Sequence, residues 1–327
     1  DSILGFVVCN RLFIEFPELL EGDLTRIKSA VVSRETCSRI SIELGLVDFL
    51  IVGKGMAVNR PVPSSVLSDM FESLVAAIFL DGGIDLQETI GDPLEFSEHV
   101  FPQCGGIKAL EVAFSMAILD WWCQKERISV YEYLGAEPLK APKTSYTISI
   151  GDMDLIPEKV KEGSPYHILK VKLGMGIDQD KAIMNAIREE TDQSIRVDAN
   201  EGWDLTSGIE MCNWLAEQNV EFVEQPFKST NLADTATLRK ESPLPLIADE
   251  NSLNSADIPK IEGVFDGINI KLMKCGSLFE GLKMVKMARE RDMQIMLGCM
   301  IESSVGITAA AHLSPLVDYA DLDGNLL

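Results

Sequence analysis

The chain has 327 residues, of which 46% are hydrophobic, and a formal net charge of −22 at pH 7. This length and apolar content predict two or three domains with a large buried core. The negative charge argues against sequence-independent binding to nucleic acids, and no apolar run reaches the roughly 18 residues of a membrane-spanning helix.

The cysteines indicate a reducing compartment. There are seven, an odd number at scattered positions, and no C-x-x-C pair occurs. This pattern favours free thiols over a disulfide framework or a zinc site. The pattern of a secretory signal, a basic leader followed by an apolar segment, is not visible. We therefore expect a cytoplasmic protein with no membrane partner.

Residues 1–90 show the apolar recurrence of helices, at positions i, i+3 and i+4, interrupted by glycine and proline. We predict an all-α domain over this range. Within it, Asp69 and Glu72 lie three residues apart and so share a helix face. Two acids on one face can bind a divalent cation, although a solvated charged pair is the more common arrangement.

The second half has a different pattern. Residues 91–106 hold two prolines and three glycines and are predicted as a junction, and a long helical segment follows at 107–137. From residue 138, short strands alternate with charged helices, which predicts a parallel α/β fold. Eight predicted strands favour a closed (β/α) barrel over an open sheet: TISI, ILKVKL, IRVDA, EFVEQ, LPLIAD, INIKLM, QIMLGC and DYADLD.

Charged residues end five successive predicted strands. The intervals between them are 26, 26, 25 and 22 residues, about the length of a strand, a helix and two loops. Since the carboxyl ends of parallel strands form one rim of a barrel, we expect these side chains to meet there. They are Lys172, Asp198, Glu224, Asp249 and Lys271.

The three carboxylates would repel one another without a compensating charge. Any one of Asp198, Glu224 and Asp249 could instead cap a helix or form a surface salt bridge. Three of them in register at strand ends favour a divalent cation with oxygen ligands, such as Mg²⁺.

The lysines indicate acid–base chemistry. Lys170 and Lys172 are two residues apart, so they share a strand face, and their apolar flanks argue against a solvated pair. A neighbouring cation would depress the pKa of such a lysine and let it act as a base. Lys271 ends a strand nearly across the barrel, so two lysines could serve opposite faces of one carbon, as racemisation or epimerisation requires.

Asp321 and Asp323 also lie two residues apart on one predicted strand. Two inward acids apart from the metal set could hold an ammonium group of the substrate. The Asp-Gly dipeptide that follows is equally typical of a simple turn.

Residues from about 107 to 327 resemble the enolase superfamily, and within it the dipeptide epimerases of the muconate-lactonising branch, the L-Ala-D/L-Glu epimerase type. The segments that carry the resemblance, in this order, are KVK, VDANEGW, VEQP, ADEN, NIKLMKCGSL, GCMIESSVGITAAAHL and DLDG. It implies an isomerase that transfers a proton at one carbon of a dipeptide such as L-Ala-L/D-Glu, through an enediolate and with Mg²⁺.

By this resemblance, each candidate residue receives a role. Lys172 and Lys271 would be the acid/base pair, and Lys170 would polarise the substrate carboxylate. The metal ligands would be Asp198, Glu224 and Asp249, and the amino terminus of the dipeptide would bind Asp321 and Asp323. Residues 107–137 would be the last helical part of a capping domain, and we expect the rest of that cap to be missing.

Residues 1–90 resemble the nuclease domain of ribonuclease III, in DSILGFVV, FPELLEGDLTRIKSAVVSRETCSRISIELGL and SDMFESLVAAIFLDGG. This implies that Asp1, Asp69 and Glu72 fall on Mg²⁺-binding acids. A further family acid would precede Asp1, so we expect an N-terminally truncated, impaired domain. Its net charge of −6 and the lack of a double-stranded-RNA-binding domain predict poor RNA binding. Family members are dimers, so a homo-oligomer is compatible with this half.

The leading interpretation is therefore a cytoplasmic dipeptide epimerase barrel joined to an incomplete ribonuclease III-like domain. One alternative is an endoribonuclease for double-stranded RNA whose barrel is a passenger. The other is a chain of joined fragments with neither activity.

Overall fold

The computed structural model describes residues 4, 8, 12, 16, 21–50, 62–82, 92–104, 106–149, 153–324 and 326. The chain divides into two compact units, residues 1–92 and 93–327. In the described ranges, every helix is too short or too polar to span a bilayer.

The first unit is helical, which confirms the predicted class. Its described helices are α1 (Glu21–Val31), α2 (Arg34–Glu43), a 3₁₀ turn (Leu46–Phe49) and α3 (Ser64–Gly82). Ser33 caps α2 by accepting a 3.2 Å hydrogen bond from the Thr36 amide. Helices α2 and α3 pack through buried Cys37 and Leu67, and the hydroxyl of Ser41 donates to the Leu67 carbonyl.

The second unit contains eight parallel strands that pair in chain order, as the sequence predicts. A parallel bridge between Thr144 and Ala320 joins the two edges, and the Ser145 amide donates to the Ala320 carbonyl over 3.1 Å. The sheet is thus a closed barrel. Its strands are β1 (Tyr146–Ile148), β2 (Ile168–Lys172), β3 (Ser194–Asp198), β4 (Val220–Glu224), β5 (Leu246–Ala248), β6 (Gly267–Lys271), β7 (Gln294–Gly298) and β8 (Tyr319–Ala320).

Helices precede the barrel and connect its strands. Ser, Asp or Asn side chains cap several of them, among them Asp204, Asn231, Ser277 and Ser303. The described helices are α4 (Pro93–Val100), α5 (Lys108–Glu126), α6 (Val130–Tyr133), α7 (Ile156–Gly163), α8 (Ile177–Glu190), α9 (Leu205–Ala216), α10 (Leu232–Glu241), α11 (Ile258–Ile261), α12 (Leu272–Cys275), α13 (Leu278–Arg289) and α14 (Ser304–Ala311), with 3₁₀ turns at Phe101–Cys104, Pro138–Lys140, Met153–Leu155 and Ser314–Leu316.

The period of two along each strand separates two environments. One set of strand residues, such as Ile195 and Val197 of β3, packs in the large apolar core with the helices. The alternate set faces the barrel interior, where Phe222, Ile247 and Met296 form a separate apolar cluster. The same alternation brings the last inward residue of each strand to the carboxyl rim.

Candidate active site

The charged residues predicted at strand ends lie together at the carboxyl rim. In the sheet register Lys172 is opposite Asp198, and Asp198 is opposite Glu224. Asp249 directly follows β5, and Lys271 ends β6. All except Lys172 expose less than a tenth of their surface. Water therefore screens this charge cluster poorly, and its members must neutralise one another.

Lys170 lies at the centre of the cluster. Its Nζ is 2.7 Å from Glu224 Oε2, 2.9 Å from Asp321 Oδ2 and 3.4 Å from Asp198 Oδ2. Burial alone would lower the pKa of Lys170, but the charges of Asp321, Glu224 and Asp198 outweigh it and raise that pKa well above its usual value. Lys170 is thus a fixed cation that holds β3, β4 and β8 together.

Glu224 is a completely buried carboxylate. The side-chain amide of Asn269 donates to its Oε1 over 2.7 Å, whereas Oε2, despite its short ion pair with Lys170, receives no hydrogen bond of good geometry. Burial, together with the charge of Asp198, raises the pKa of Glu224 to about 7. This carboxylate therefore retains capacity for a further positive ligand.

Asp249 lies between two ammonium groups. Lys271 Nζ is 2.9 Å from its Oδ2, and Lys274 Nζ is 2.7 Å from its Oδ1. Burial opposes ionisation of Asp249, but these lysines outweigh it and lower the pKa to about 2. Burial would lower the pKa of Lys271 as well, yet the charges of Glu224 and Asp249 raise it. With carboxylates as the nearest charges, Lys271 is held protonated.

Lys172 is the most accessible member of the rim, with 35% of its side chain exposed, and its Nζ is 3.4 Å from Asp198 Oδ2. Lys172 and Lys271 end β2 and β6, which are four strands apart in an eight-stranded closed order. Strands four apart in such a barrel lie on opposite sides. The two lysines thus flank the row of acids from opposing walls of the mouth.

Asp321 and Asp323 are both buried at the end of β8. Asp321 accepts a 2.6 Å hydrogen bond from the Ser145 hydroxyl and pairs with Lys170, whereas Asp323 accepts a 2.6 Å hydrogen bond from the Thr147 amide. Burial and the charge of Asp321 raise the pKa of Asp323. Because its surroundings disfavour the anionic form of Asp323, an approaching cation would stabilise that form.

The donor set fits a divalent metal in chemistry and order: three buried carboxylates end or directly follow consecutive strands and include the poorly satisfied Oε2 of Glu224. In the arrangement described, lysine ammonium groups stand against these acids. In this arrangement, no three acidic, histidine or cysteine side chains of the described ranges lie close enough together to hold one metal ion. The assignment of Asp198, Glu224 and Asp249 as ligands stays a prediction.

Among the residues that sequence reasoning missed, Asn269 contacts Glu224, and Lys274 and Gln225 contact Asp249. Asn269 could have been found, because it lies two residues before Lys271 and so shares its inward face. Lys274 follows β6 in a short helix, α12. A sequence gives no signal for the direction of its side chain.

The acids predicted in the first unit are only partly described. Asp1 lies outside the described residues. On α3, Asp69 is exposed and Glu72 is half-buried, and the Ser68 hydroxyl donates to Glu72 over 3.2 Å. The structure gives these two acids a shared helix, as predicted.

Comparison with known proteins places both parts of the chain. The family described as "Enolase C-terminal domain-like" matches residues 154–322, and the family "Ribonuclease III domain" matches residues 1–83. Both resemblances found in the sequence are thereby confirmed.

Curated relatives support the first match. The L-Ala-D/L-Glu epimerase of Bacteroides thetaiotaomicron is 45% identical over 238 residues, which cover 72% of this chain and 61% of the relative. The L-Ala-D/L-amino acid epimerase of Pedosphaera parvula is 36% identical over 78% of this chain and 75% of its own length. The chain thus spans about three-fifths of the Bacteroides relative.

Solved structures share the fold. The dipeptide epimerase of Enterococcus faecalis aligns with a TM-score of 0.67 at 32% identity, over 71% of this chain and 70% of that one. The dipeptide epimerase of Cytophaga hutchinsonii, complexed with Mg and D-Ala-L-Val, aligns with a TM-score of 0.67 at 28% identity, over 72% and 66%. Together with the barrel and its rim, these matches show that the chain belongs to the enolase C-terminal domain-like family.

Proposed function

We propose that the barrel is a Mg²⁺-dependent dipeptide epimerase that inverts one carbon by removing a proton on one face and returning it on the other. The observation that carries this proposal is the placement of Lys172 and Lys271 on β2 and β6, on opposite sides of three buried acids. The relatives named as L-Ala-D/L-Glu and dipeptide epimerases support the substrate class.

Asp198, Glu224 and Asp249 would hold the Mg²⁺ at the ends of β3, β4 and β5. When bound, the ion supplies positive charge that stabilises the substrate carboxylate as the neighbouring proton leaves. Lys170, already a fixed cation, would bind the same carboxylate. Lys172 and Lys271 would each hold or accept the proton at Nζ, one on each face of the carbon.

A deuterium-exchange experiment tests the two-lysine proposal. In D₂O with Mg²⁺ and L-Ala-L-Glu, the wild-type chain is expected to place deuterium at the epimerised carbon, and EDTA to stop this until Mg²⁺ is restored. Lys271→Ala is expected to exchange from one epimer at most. Lys181→Ala, which alters an exposed ion pair with Glu210 on the helices, is the matched control and should behave as wild type.

Full two-way epimerisation by Lys271→Ala would contradict the roles assigned to the lysines. Absence of any exchange in the wild-type chain under loaded conditions would contradict the activity itself.

We further propose that Asp321 and Asp323 bind the amino terminus of the dipeptide. The support is their burial at the end of β8 and the raised pKa of Asp323, which an ammonium group would relieve. N-acetylation removes the substrate charge, so the wild-type chain should discriminate strongly against N-acetyl-L-Ala-L-Glu. Asp323→Asn should lose most of this discrimination through a higher KM for the free dipeptide, and equal discrimination by both proteins would refute the assignment.

For the first unit, the match to the ribonuclease III domain supports double-stranded-RNA hydrolysis as the second candidate function. We infer that this activity is impaired, since the charge balance of residues 1–90 is unfavourable for binding a polyanion. We also propose that the chain divides into a nuclease-like domain (residues 1–90), a junction (91–106), a remnant of the cap (107–137) and the barrel (138–327).

A further inference from the structure

Gln225 has a backbone conformation that side-chain-bearing residues rarely adopt. It directly follows Glu224, exposes 1% of its surface, and has a φ of 38°. A non-glycine residue in this left-handed region is strained, and such strain persists only where the surroundings fix it. The contacts of Gln225 must therefore offset the strain.

The side chain of Gln225 uses both its donor and its acceptor ends. Its Oε1 accepts a 2.9 Å hydrogen bond from the backbone amide of Asp249. Its Nε2 donates to Asn251 Oδ1 over 2.7 Å and to the Phe227 carbonyl over 2.9 Å. One buried side chain thus ties the segment after β4 to the segment after β5.

The main chain of Gln225 makes the remaining connections. Its amide donates to the Ile247 carbonyl of β5, and its carbonyl accepts from the Glu201 amide in the segment after β3, each over 2.9 Å. Gln225 therefore contacts all three segments that follow the strands of Asp198, Glu224 and Asp249.

From this geometry we propose that Gln225 is a positioning residue that fixes the separation of the three carboxylates and so sets their affinity for a divalent cation. The inference rests on the proposed role of these acids as Mg²⁺ ligands. Gln225 would act on the cation indirectly, because its side chain holds the backbone amide of Asp249 and its own peptide follows Glu224. Residues that orient metal ligands in this way typically contribute 10- to 100-fold to metal affinity.

The first experiment replaces Gln225 by an apolar side chain of similar length, Gln225→Met. Hydrogen–deuterium exchange should show loss of protection at the Asp249 amide, whose acceptor is removed, while the Glu201 amide stays protected because its acceptor is the main chain of residue 225. Isothermal titration with MgCl₂ should give a roughly tenfold weaker affinity than for the wild-type chain.

A second pair of variants separates positioning from backbone strain. Gln225→Gly removes both the backbone strain and the side chain. If Gln225 had only a structural role, this variant would keep the Mg²⁺ affinity of the wild-type chain. We expect instead that the affinity falls about tenfold. Asn219→Gly is the matched control, since Asn219 has a φ of 52° just before β4, at the end of that strand remote from the rim. It should keep wild-type affinity.

The outcomes distinguish this inference from the proposed function. Wild-type affinity in both Gln225→Met and Gln225→Gly, or an Asp249 amide that stays protected in both, would overturn the positioning role. Absence of Mg²⁺ binding by the wild-type chain would overturn the proposed metal site and, with it, the proposed effect of Gln225 on Mg²⁺ affinity. The hydrogen–deuterium exchange data would still decide whether Gln225 positions Asp249. If Gln225→Met does not fold, Gln225→Glu preserves the acceptor for Asp249 and should retain that protection.

Discussion

The side-chain amide of Asn269 donates a 2.7 Å hydrogen bond to Oε1 of Glu224, and neither residue exposes any surface. The two residues are 45 positions apart, on β6 and β4, so the bond passes in front of β5. It fixes one oxygen of Glu224 and leaves the other directed at Lys170. A carboxylate held in this way keeps its orientation without relying on water.

Asn269→Ala should destabilise the chain, because it leaves a buried carboxylate oxygen unsatisfied. We expect the free energy of unfolding to fall by about 2 kcal/mol. Asn213→Ala is a suitable control, since that side chain is exposed and donates to the Ile209 carbonyl of its own helix, and its effect should stay within about 0.5 kcal/mol. Urea unfolding in EDTA measures both, and equal effects would refute the role assigned to Asn269.

Lys170→Met and Lys172→Met should differ strongly although the lysines are two residues apart. Lys170 neutralises three buried acids, so its loss leaves uncompensated buried charge and should cost about 4 kcal/mol. Lys172 is 35% exposed and pairs with Asp198 over a longer distance of 3.4 Å, so its loss should cost less than about 1 kcal/mol. The measurement is urea unfolding at pH 7 in EDTA. Similar losses would show that the central position of Lys170 does not govern stability.

Cys299 provides a pH-dependent prediction. Burial, with the charge of Asp321, raises the pKa of this thiol from 9.0 to about 12. The folded state therefore favours the neutral thiol, and the stability associated with it is present below pH 9 and is lost as pH rises towards 12. At pH 8 the thiolate fraction should be about a thousandfold lower than for an ordinary thiol.

Iodoacetamide labelling followed by mass spectrometry checks the state of Cys299. The native chain at pH 8 should be modified there far more slowly than the chain in urea, and the native rate should rise tenfold per pH unit up to the onset of unfolding. Equal rates in both conditions would contradict the raised pKa.

Long duplex RNA incubated with the chain and Mg²⁺ should remain largely uncleaved. The whole chain carries a net charge of −22, of which residues 1–90 contribute −6. A polyanion is therefore repelled rather than attracted. Gel analysis of the products is sufficient. Efficient conversion to short fragments, abolished by Glu72→Gln, would make the nuclease the main function.

Much of the barrel could be predicted because its signals are local and periodic. The interval of about 26 residues between charged strand ends reflects the repeated strand–helix unit, and the period of two along each strand defines which residues face inward. Asp198 and Glu224, for example, lie opposite each other in the register.

Other features depend on three-dimensional geometry that periodicity does not contain. The spacing of Lys170 and Lys172 does not distinguish their surroundings, yet Lys170 is buried among three acids whereas Lys172 is partly exposed. The positive φ of Gln225 is set by its neighbours across the sheet, and a glutamine has no intrinsic preference for it. Lys274 contacts Asp249 from a helix that begins after β6, where strand alternation has ended.

The bridge between Thr144 and Ala320 that closes the barrel has a consequence for folding. The Ser145 side chain and the Ala320 carbonyl are 175 residues apart in the chain, and Lys170 and Asp321 are 151 apart. Contacts of such separation form late, because a long loop must be ordered first. Lys170 therefore gains its partner Asp321, which directly follows β8, only when the last strand docks. This ion pair and the closure of the barrel therefore form together, when the last strand pairs with the first.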